Sequence, residues 1–182
     1  MPESFDSNIV SMMNEHVQKE HVLELIIHEY KERLYWHIRK IVISHDDADD
    51  VLQNTFIKVW KGLDNFKAES KIFTWLYRIA TNESISFLQK KKKRFLLPIH
   101  DVEKELIKNM ESDEYFSGNE IQLTLQRAIL TLPEKQRIVF NMKYFDEMKY
   151  SDMSDILDTS EGALKASYHH AVKKIKKFLN ID

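Results

Sequence analysis

The sequence predicts an all-α protein made of two small helical domains joined by a linker. Apolar residues recur at intervals of three and four along most of the chain, which is the period of a helix with one buried face. No segment alternates as a half-buried strand does, and only three glycines and three prolines interrupt the pattern. The length of 182 residues fits one or two domains of roughly 100 to 200 residues each.

Composition excludes several other classes of protein. Cysteine is absent, so neither a disulfide framework nor a thiolate zinc site can hold the chain together. No run of about 18 apolar residues is long enough to span a membrane. The N-terminal residues also lack the positive start and apolar core of a secretion signal. We therefore expect a cytoplasmic location and no direct membrane insertion.

The first domain is predicted at residues 17–95 and consists of three helices. Stripes of apolar residues at helical spacing mark each of them. The predicted helices run from about residue 17 to 43, from the turn at 44–47 to Gly62, and from Ser70 or Thr74 into the lysine run that ends at Arg94. Gly62 is a residue type that suits the C-terminal end of a helix.

A linker is predicted at residues 96–118, and a second domain at residues 119–182. The linker is acidic, contains a proline and a glycine, and lacks a long apolar stripe. Four apolar residues within it are spaced for one or two helical turns: Val102, Leu106, Ile107 and Met110. Helical periodicity returns at Ile121, and Pro133 suits the first turn of the following helix. The second domain is therefore a four-helix module.

The last two helices of this module have the layout of a helix-turn-helix. Ser151 is expected to cap the first helix, residues 158–160 form the turn, and a longer basic helix begins near Glu161. Its apolar stripe leaves the opposite face, rich in lysine and histidine, available for DNA. Lysines near a helix C-terminus are also favoured by the helix dipole alone. The motif in isolation therefore leaves a solvated face and a DNA-binding face both open.

Charge is segregated along the chain, although the net charge at pH 7 is only −2. Positive charge is concentrated in residues 90–94 and in the lysines after Leu164, whereas residues 45–50 are mainly acidic. This distribution favours two basic surfaces that face DNA and an acidic or polar surface for another partner. A solvated surface is the alternative for each run.

No metal site or cofactor is predicted. The chain has eight histidines, but no HExxH pair, and the adjacent His169 and His170 point about 100° apart on a helix. The aspartate-rich turn lacks the glycine and spacing of a calcium loop, and no glycine-rich phosphate loop is present. The sequence therefore shows no motif for metal or phosphate chemistry.

Two separated segments resemble regions of one protein family. Residues 46–94, DDADDVLQNTFIKVWKGLDNFKAESKIFTWLYRIATNESISFLQKKKKR, are similar to the second region of bacterial sigma-70 factors of the extracytoplasmic-function (ECF) group. Residues 132–179, LPEKQRIVFNMKYFDEMKYSDMSDILDTSEGALKASYHHAVKKIKKFL, resemble the fourth region. Their order, their separation and the absence of a third region also match. The resemblance identifies the two domains as a sigma region 2 three-helix module and a sigma region 4 helix-turn-helix module.

The resemblance implies a dissociable specificity subunit that is not itself an enzyme. It is expected to bind core RNA polymerase, at its clamp helices and flap, and to direct transcription initiation at promoter DNA. Region 2 is then expected to read and open the minus-10 element, and region 4 to read the minus-35 element. Many relatives are held inactive by a membrane-anchored anti-sigma factor. An anti-sigma factor is therefore a further expected partner, one that would hold the protein at the inner face of the membrane.

The resemblance also assigns residues to each surface. The polymerase-binding residues are Asp49, Asp50, Gln53 and Asn54, although the family more often has glutamate where Asn54 stands. A base flipped out of the minus-10 strand needs an aromatic or apolar wall, polar groups for its edge and cations for the strand. The matching residues are Phe66, Lys67, Ser70, Ile72, Phe73, Asn82, Lys90 and Lys91. Trp75, at helical spacing, is assigned to the core.

The minus-35 surface falls on the second helix of the helix-turn-helix. Its expected DNA-binding residues are Ser160, Lys165, Ala166, His169, His170 and Lys173. Family members often carry arginines at the start of this helix, and arginine is the best bidentate reader of guanine. Their replacement here predicts an unusual minus-35 sequence.

Two other classes of function fit parts of the sequence. A stand-alone helix-turn-helix regulator would bind DNA without polymerase, and a polymerase pull-down separates it from a sigma factor. A helical adaptor that binds only proteins would account for the acidic segment and the linker, but it would leave both lysine clusters without a partner.

Overall fold

The computed structural model describes residues 5–15, 17–94, 107, 108, 110 and 120–180. Throughout this part of the chain the regular structure is helical and contains no strand, so the all-α prediction is confirmed. The long helices are α1 (Phe5–Asn14), α2 (Lys19–Val42), α3 (His45–Leu63), α4 (Ile72–Arg94), α5 (Glu120–Leu130), α6 (Glu134–Tyr144), α7 (Tyr150–Leu157) and α8 (Glu161–Leu179).

Helix α1 is an element that the sequence reading did not predict. Its Ile9 side chain is completely buried, and the ring of Phe5 packs edge-on against Tyr30 of α2 with 5.7 Å between centroids. Phe5, Ile9, Met12 and Met13 recur at helical spacing, so the sequence does carry the signal. Helix α1 therefore adds to the three long helices that the structure has within the predicted range 17–95.

Helices α2, α3 and α4 pack against one another and form the core of the first domain. Ser44 caps α3 by accepting a hydrogen bond from the Asp47 backbone N–H at 3.3 Å. Helix α4 begins at Ile72, between the two predicted starting residues, and continues without a break through the lysine run. Thr74, one of those two residues, is itself buried in the core.

Gly62 lies in the last turn of α3, as expected, but its conformation is ordinary. It is not left-handed, and the helix ends one residue later at Leu63. A Cβ atom at position 62 would lie 3.1 Å from the indole ring of Trp75. Glycine at this position therefore allows the close approach of α3 to the Trp75 ring, which would have to shift by a few tenths of an ångström to admit a Cβ atom. Trp75 is half-buried and packs against the core, in agreement with its predicted role.

The second domain consists of α5 to α8, with a local apolar cluster between α5, α6 and α8. Helix α7 starts at Tyr150 after Lys149, so the prediction that Ser151 caps it is wrong. The helix ends where Asp158 adopts a left-handed conformation with φ 50°. Ser160 then caps α8 by accepting from the Ala163 N–H at 3.4 Å, which fixes the turn between the two helices.

The two domains are packed against each other. One continuous apolar cluster joins the first domain to buried residues of the second, namely Ile138, Val139, Met142, Met148, Met153, Ile156 and Leu164. Within the predicted linker, Met110 is fully buried in this cluster and Ile107 packs against it. Apart from Lys108, the other residues of the predicted linker lie outside the described part of the chain. The two domains thus share a core in addition to their covalent connection.

A buried polar cluster crosses the same boundary. The carboxylate of Asp146, in the second domain, accepts a hydrogen bond from His37 Nδ1 at 3.0 Å and pairs with the ammonium group of Lys40. Asn141 donates its amide to the Lys40 carbonyl oxygen at 3.1 Å. His37 and Asn141 are both buried, so these contacts replace water. We call these four residues the interdomain polar cluster.

Each ring nitrogen of His37 has a polar partner. Nε2 lies 2.9 Å from the hydroxyl oxygen of Thr81, and that hydroxyl donates to the Tyr77 carbonyl at 2.7 Å. A carboxylate accepts only, so Nδ1 donates to Asp146. The contact of Nε2 with Thr81 connects the interdomain polar cluster to α4.

Candidate nucleic-acid interface

The loop between α3 and α4 is shaped by aromatic packing. Phe66 is half-buried and lies against Trp75, with 4.9 Å between ring centroids, and Phe73 lies 4.4 Å from Tyr77. Ile72 is completely buried, so it supports the loop from beneath. The aromatic groups next to solvent in this predicted minus-10 region are therefore Phe66 and Phe73.

Helix α1 lies beside this loop and encloses a shallow cavity of about 430 Å³ with it. The loop contributes Glu69, Ser70 and Lys71, and α1 contributes Asp6 and Ser7. Lys67 is exposed at the edge of the same loop, and Ala68 adopts a left-handed conformation with φ 55°. The loop thus places a cation, a hydroxyl group and an aromatic wall close together.

The exposed side of α4 continues this surface. Asn82 and Lys90 are exposed, as a DNA-facing role requires. Lys91 differs, because its ammonium group lies 2.9 Å from the Asp47 carboxylate and is only partly exposed. The predicted cluster of basic residues is therefore partly neutralised at Lys91.

The predicted polymerase-binding residues share one side of α3. Asp50, Gln53 and Asn54 are exposed, and Asn54 donates its side-chain amide to the Asp50 carbonyl at 2.9 Å. Asp49 is half-exposed and lies 3.6 Å from His45 Nε2. One turn further along, Ile57 is 50% exposed, which is unusual for so apolar a side chain. This face combines acidic, amide and apolar groups that are open to a protein partner.

Helix α8 presents the predicted minus-35 residues to solvent. Leu164, Ala171 and Ile175 are buried, which orients the opposite face outward. The exposed residues of that face include all of those predicted, which are Ser160, Lys165, Ala166, His169, His170 and Lys173.

Two contacts fix the position of this helix. Tyr168 stacks on Phe140 of α6 with 5.7 Å between centroids. Lys165 lies 3.2 Å from Glu161 and 5.5 Å from the ring centre of Tyr150 in α7. The start of the basic face is thus held against both neighbouring helices.

A larger cavity of about 640 Å³ lies between the two domains. Arg78, Asn82 and Ile85 of α4 line one side, and the turn residues Asp158 and Thr159 line the other. Arg78 Nε donates to the Asp155 carbonyl oxygen at 3.0 Å across the boundary. The predicted minus-10 face of α4 and the helix-turn-helix therefore face each other directly.

Burial and neighbouring charges shift the pKa values of Asp146 and Tyr77 near the domain boundary and of Tyr30 within the first domain. Burial alone would raise the pKa of Asp146, but the hydrogen bond and charge of His37, together with the charge of Lys40, lower it below the ordinary carboxyl value. Burial raises the pKa of Tyr77 to about 12, and the Asp146 charge adds to that effect. Burial, with the charge of Asp6, raises the pKa of Tyr30 to about 12 as well. These groups are structural, since each is enclosed by the core.

Within the described ranges, no group of three acidic, histidine or cysteine side chains is arranged to hold a metal ion. The same part of the chain has no helix both long and apolar enough to cross a bilayer.

Some residues at these surfaces were not predicted from the sequence. Lys71 and Arg78 lie between predicted minus-10 residues, and their spacing of seven could have indicated that they share a face of α4 with Asn82 one turn away. Asp6 and Ser7 belong to the unpredicted helix α1.

The fold and its surfaces define a class of helical DNA-binding proteins in which a helix-turn-helix is joined to a second helical module. Two models of protein families match this chain and identify the family within this class. Sigma-70 region 2 matches residues 26–94, and the sigma-70 region 4 model matches residues 122–175. The chain belongs to the sigma-70 family and is a sigma factor of the ECF group.

Similar proteins agree with this assignment. The ECF RNA polymerase sigma factor SigW of Bacillus subtilis (strain 168) is 30% identical over 162 residues, covering 85% of this chain and 87% of SigW. The RNA polymerase sigma-H factor of Pseudomonas aeruginosa is 30% identical over 166 residues, covering 86% and 85%. The ECF RNA polymerase sigma-E factor of Escherichia coli (strain K12) is 28% identical over 173 residues, covering 88% and 89%.

Solved structures show the same fold. CnrH, in complex with the cytosolic domain of CnrY, aligns with a TM-score of 0.69 at 19% identity and covers 96% of this chain and 97% of its own. The sigma factor RpoE of Bartonella quintana, in complex with the anti-sigma factor NepR, aligns with a TM-score of 0.66 at 19% identity and covers 87% and 97%.

Proposed function

We propose that this sigma factor recruits core RNA polymerase through α3, opens the minus-10 element with the α3–α4 loop and α4, and reads the minus-35 element with α8. The observation that carries the proposal is the presence of three separate exposed surfaces whose chemistry matches these three tasks. They are the mixed polar and apolar face of α3, the aromatic and cationic loop, and the basic face of α8.

The α3–α4 loop suits a single unstacked base. Phe66 and Phe73 offer aromatic surface, Ser70 a hydroxyl group for a base edge, and Lys67 a cation for the strand. Stacking of a base on an aromatic side chain is worth roughly 1–3 kcal/mol. The buried Ile72 contributes by holding the loop in place, while Asn82 and Lys90 extend the contact along α4.

The basic face of α8 suits duplex DNA. A helix entering the major groove uses side chains near its N-terminus for base edges and the remainder for phosphates. Lys165 can donate to guanine and Ala166 can touch a thymine methyl group. Lys173, two turns further along, is placed for a phosphate contact.

Two further properties follow by comparison with relatives. CnrH and RpoE are solved in complexes with CnrY and an anti-sigma factor, and we extend that kind of regulation to this chain. We also infer that the protein acts in the cytoplasm, where polymerase and promoter DNA are found, and that it has no catalytic activity of its own.

Reconstituted transcription tests the proposal. Purified protein is mixed with core RNA polymerase, and the promoter template is chosen by mapping the transcription starts that appear when the protein is expressed. Specific initiation from that promoter is expected only with both components. A folded protein that neither binds core polymerase nor supports initiation would refute the proposal.

The same experiment separates a stand-alone regulator from a sigma factor. A regulator would bind its duplex site with equal affinity in the absence of polymerase and would leave initiation by core enzyme unchanged. A sigma factor is retained on core polymerase in a pull-down and confers initiation on it.

A further inference from the structure

The first half of α8 carries no net charge when its histidines are neutral. Across residues 160–172 the side chains ionised at neutral pH are those of Glu161 and Lys165, and their charges cancel. They also contact each other, since Lys165 Nζ lies 3.2 Å from the Glu161 carboxylate. The other lysines of the helix, at positions 173, 174, 176 and 177, all lie in its second half. The net positive charge of α8 therefore belongs to its C-terminal half.

His169 and His170 are the groups that can change this balance. The charge of a histidine side chain ordinarily changes between about pH 5 and pH 8. Protonation of both rings would give residues 160–172 two positive charges where they otherwise have none. A recognition helix places its N-terminal half against the major groove, so this added charge would lie next to DNA phosphates.

The two rings lie in the open, beside other cations. Both side chains are exposed, and their ring centroids are 6.1 Å apart. Lys165 and Lys173 lie one turn before and one turn after His169, and Lys174 lies one turn after His170. Two charged rings so placed repel each other and the lysines, and a phosphate beside them offsets that repulsion. Proton binding and phosphate binding at these rings therefore favour each other.

The contacts of α8 with α5 and α6 bring no negative charge to the histidines. Helix α5 meets α8 through apolar residues that include Ala128 and Ile129. Its charged residues, Glu120 and Arg127, form no ion pair or hydrogen bond with either ring. From α6, the neutral amide of Gln136 accepts a hydrogen bond from Lys174 at 3.0 Å. The carboxylate of Glu134, also in α6, is instead paired with Lys92 of the first domain.

Helix α7 likewise leaves the rings without an anion. Its Tyr150 lies 5.5 Å from Lys165, and the phenols of Tyr150 and of Tyr144 in α6 act on Tyr168, which precedes His169. A phenol is uncharged between pH 6 and pH 8. The carboxylate of Asp152 faces Lys71 of the first domain. Among the described residues, neither histidine ring is paired with a carboxylate, so DNA phosphate is the anion available to it.

We propose that His169 and His170 are proton-dependent phosphate ligands, so that binding of the minus-35 element takes up protons and strengthens as the pH falls. A neutral imidazole has one N–H donor, whereas a protonated ring donates from both nitrogens and carries a full charge. Phosphate beside the ring favours that charged form. This inference rests on the proposed minus-35 role of α8. It adds that promoter occupancy follows the pH of the surrounding solution.

The first test measures promoter binding by the holoenzyme across a range of pH. Core polymerase is present in excess, ionic strength is constant, and the labelled duplex is the promoter identified by mapping transcription starts. Affinity should be roughly tenfold higher at pH 6 than at pH 8. The double variant His169→Gln with His170→Gln should match the wild type at pH 8 and lose most of the gain at pH 6. A wild-type affinity that does not change with pH would overturn the proposal.

A matched control removes two histidines from another surface. His21 and His28 are exposed on α2, and His21→Gln with His28→Gln makes the same chemical change there. This control should keep the full gain in affinity at pH 6. Equal loss of the gain in both double variants would place the titrating groups outside α8 and overturn the proposal.

A second variant protects the test against damage to the fold. His169→Arg with His170→Arg carries the positive charges at every pH used. It should bind at pH 8 about as tightly as the wild type binds at pH 6, and its affinity should change little with pH. An arginine variant with the same pH dependence as the wild type would overturn the proposal.

The salt dependence of binding identifies phosphate as the partner. Each phosphate contact adds about 0.9 to the slope of log affinity against log salt concentration. The wild-type slope should therefore be steeper at pH 6 than at pH 8 by about one to two units, and the glutamine variant should show the same slope at both. A wild-type slope that does not depend on pH would overturn the assignment to phosphate.

A template with a scrambled minus-35 element separates this inference from the proposed function. Equal wild-type affinity for the promoter and the scrambled template would overturn the minus-35 role of α8, and this inference with it. A promoter that does require its minus-35 element but is bound equally well at every pH would overturn this inference alone.

Discussion

The imidazole of His37 on α2 lies 3.0 Å from the carboxylate of Asp146, which follows α6 in the other domain. The side chain of His37 is almost completely buried, and the pair is completed by Lys40. This contact stabilises the packed arrangement of the two domains. Removing one partner would leave a largely buried charge without compensation.

The first prediction concerns the stability of this pair. Asp146→Asn should lower the free energy of unfolding by about 3 kcal/mol, because it removes the anion from the largely buried contact with His37 and Lys40. Glu147→Gln, an exposed change in the adjacent residue, should have little effect. Urea unfolding followed by tryptophan fluorescence measures both values. Equal stabilities of the two variants would show that the pair is energetically neutral.

The second prediction is the acid dependence of the same contact. The pKa of Asp146 is lower in the folded protein than its ordinary value of 3.8. The stabilisation is therefore fully present above pH 3.8 and is lost as the pH falls through the lower folded value. The stability difference between wild type and Asp146→Asn should be constant from pH 6 to about pH 4 and shrink below it. A difference that does not change with pH would exclude this linkage.

The third prediction applies at alkaline pH. The pKa of Tyr77 is raised to about 12, so its neutral phenol contributes stability that is complete below pH 10 and is lost between pH 10 and pH 12. Tyr77→Phe cannot ionise and should reduce the fall in stability over that interval by roughly 2 kcal/mol. Phenolate absorbance follows the ionisation, and thermal unfolding follows the stability. Ionisation of Tyr77 at its ordinary value of 10 would contradict the prediction.

The fourth prediction separates polymerase binding from DNA binding. Gln53→Ala should weaken retention on core polymerase several-fold, because an exposed amide at a protein interface is lost, while minus-35 binding is unchanged. Gln122→Ala, an equivalent exposed change on α5, serves as the control. Competition between labelled wild type and each variant for core enzyme measures the effect. Loss of both activities in Gln53→Ala would argue against separate surfaces.

The fifth prediction concerns the minus-35 surface. Replacing Lys165 and His169 by alanine should weaken binding of the holoenzyme to its minus-35 element about tenfold or more, since base contacts are each worth roughly 1–3 kcal/mol. Core binding should remain intact. Lys177→Ala, a basic residue in the last turn of the same helix, should cause only a small, sequence-independent loss. Similar losses in both proteins would mean that α8 contributes charge alone.

The sequence predicts the helical class and the order of the elements because apolar periodicity records which face of each helix is buried. The predicted first domain begins at residue 17 and therefore does not include helix α1, although Phe5 and Ile9 follow that pattern. The N-terminal cap of α7 was misplaced, since an available serine is only a statistical signal. Ser160, by contrast, caps α8 as well as belonging to the predicted minus-35 surface.

The local spacing of apolar residues does not indicate which distant segments pack together. His37 and Asp146 are 109 positions apart, and nothing in either sequence neighbourhood indicates their contact. The tight space around Gly62 depends likewise on the ring of Trp75 in another helix. Individual surface residues such as Lys90 and Lys165 could be proposed from sequence, whereas the pairing of Lys91 with Asp47 required the fold.

Helix α4 runs without a break from Ile72 to Arg94 and therefore holds its two ends a fixed distance apart. Ile72 lies at one end of the helix, beside the loop that we propose to bind a base, and Lys90 lies eighteen positions further along the same helix. At 1.5 Å per residue this separation is about 27 Å, which equals roughly eight base steps of 3.4 Å. If a strand is held at both points, as proposed, the length of α4 sets the distance between the bound base and the bound phosphate, so inserting or deleting residues within α4 should change that distance.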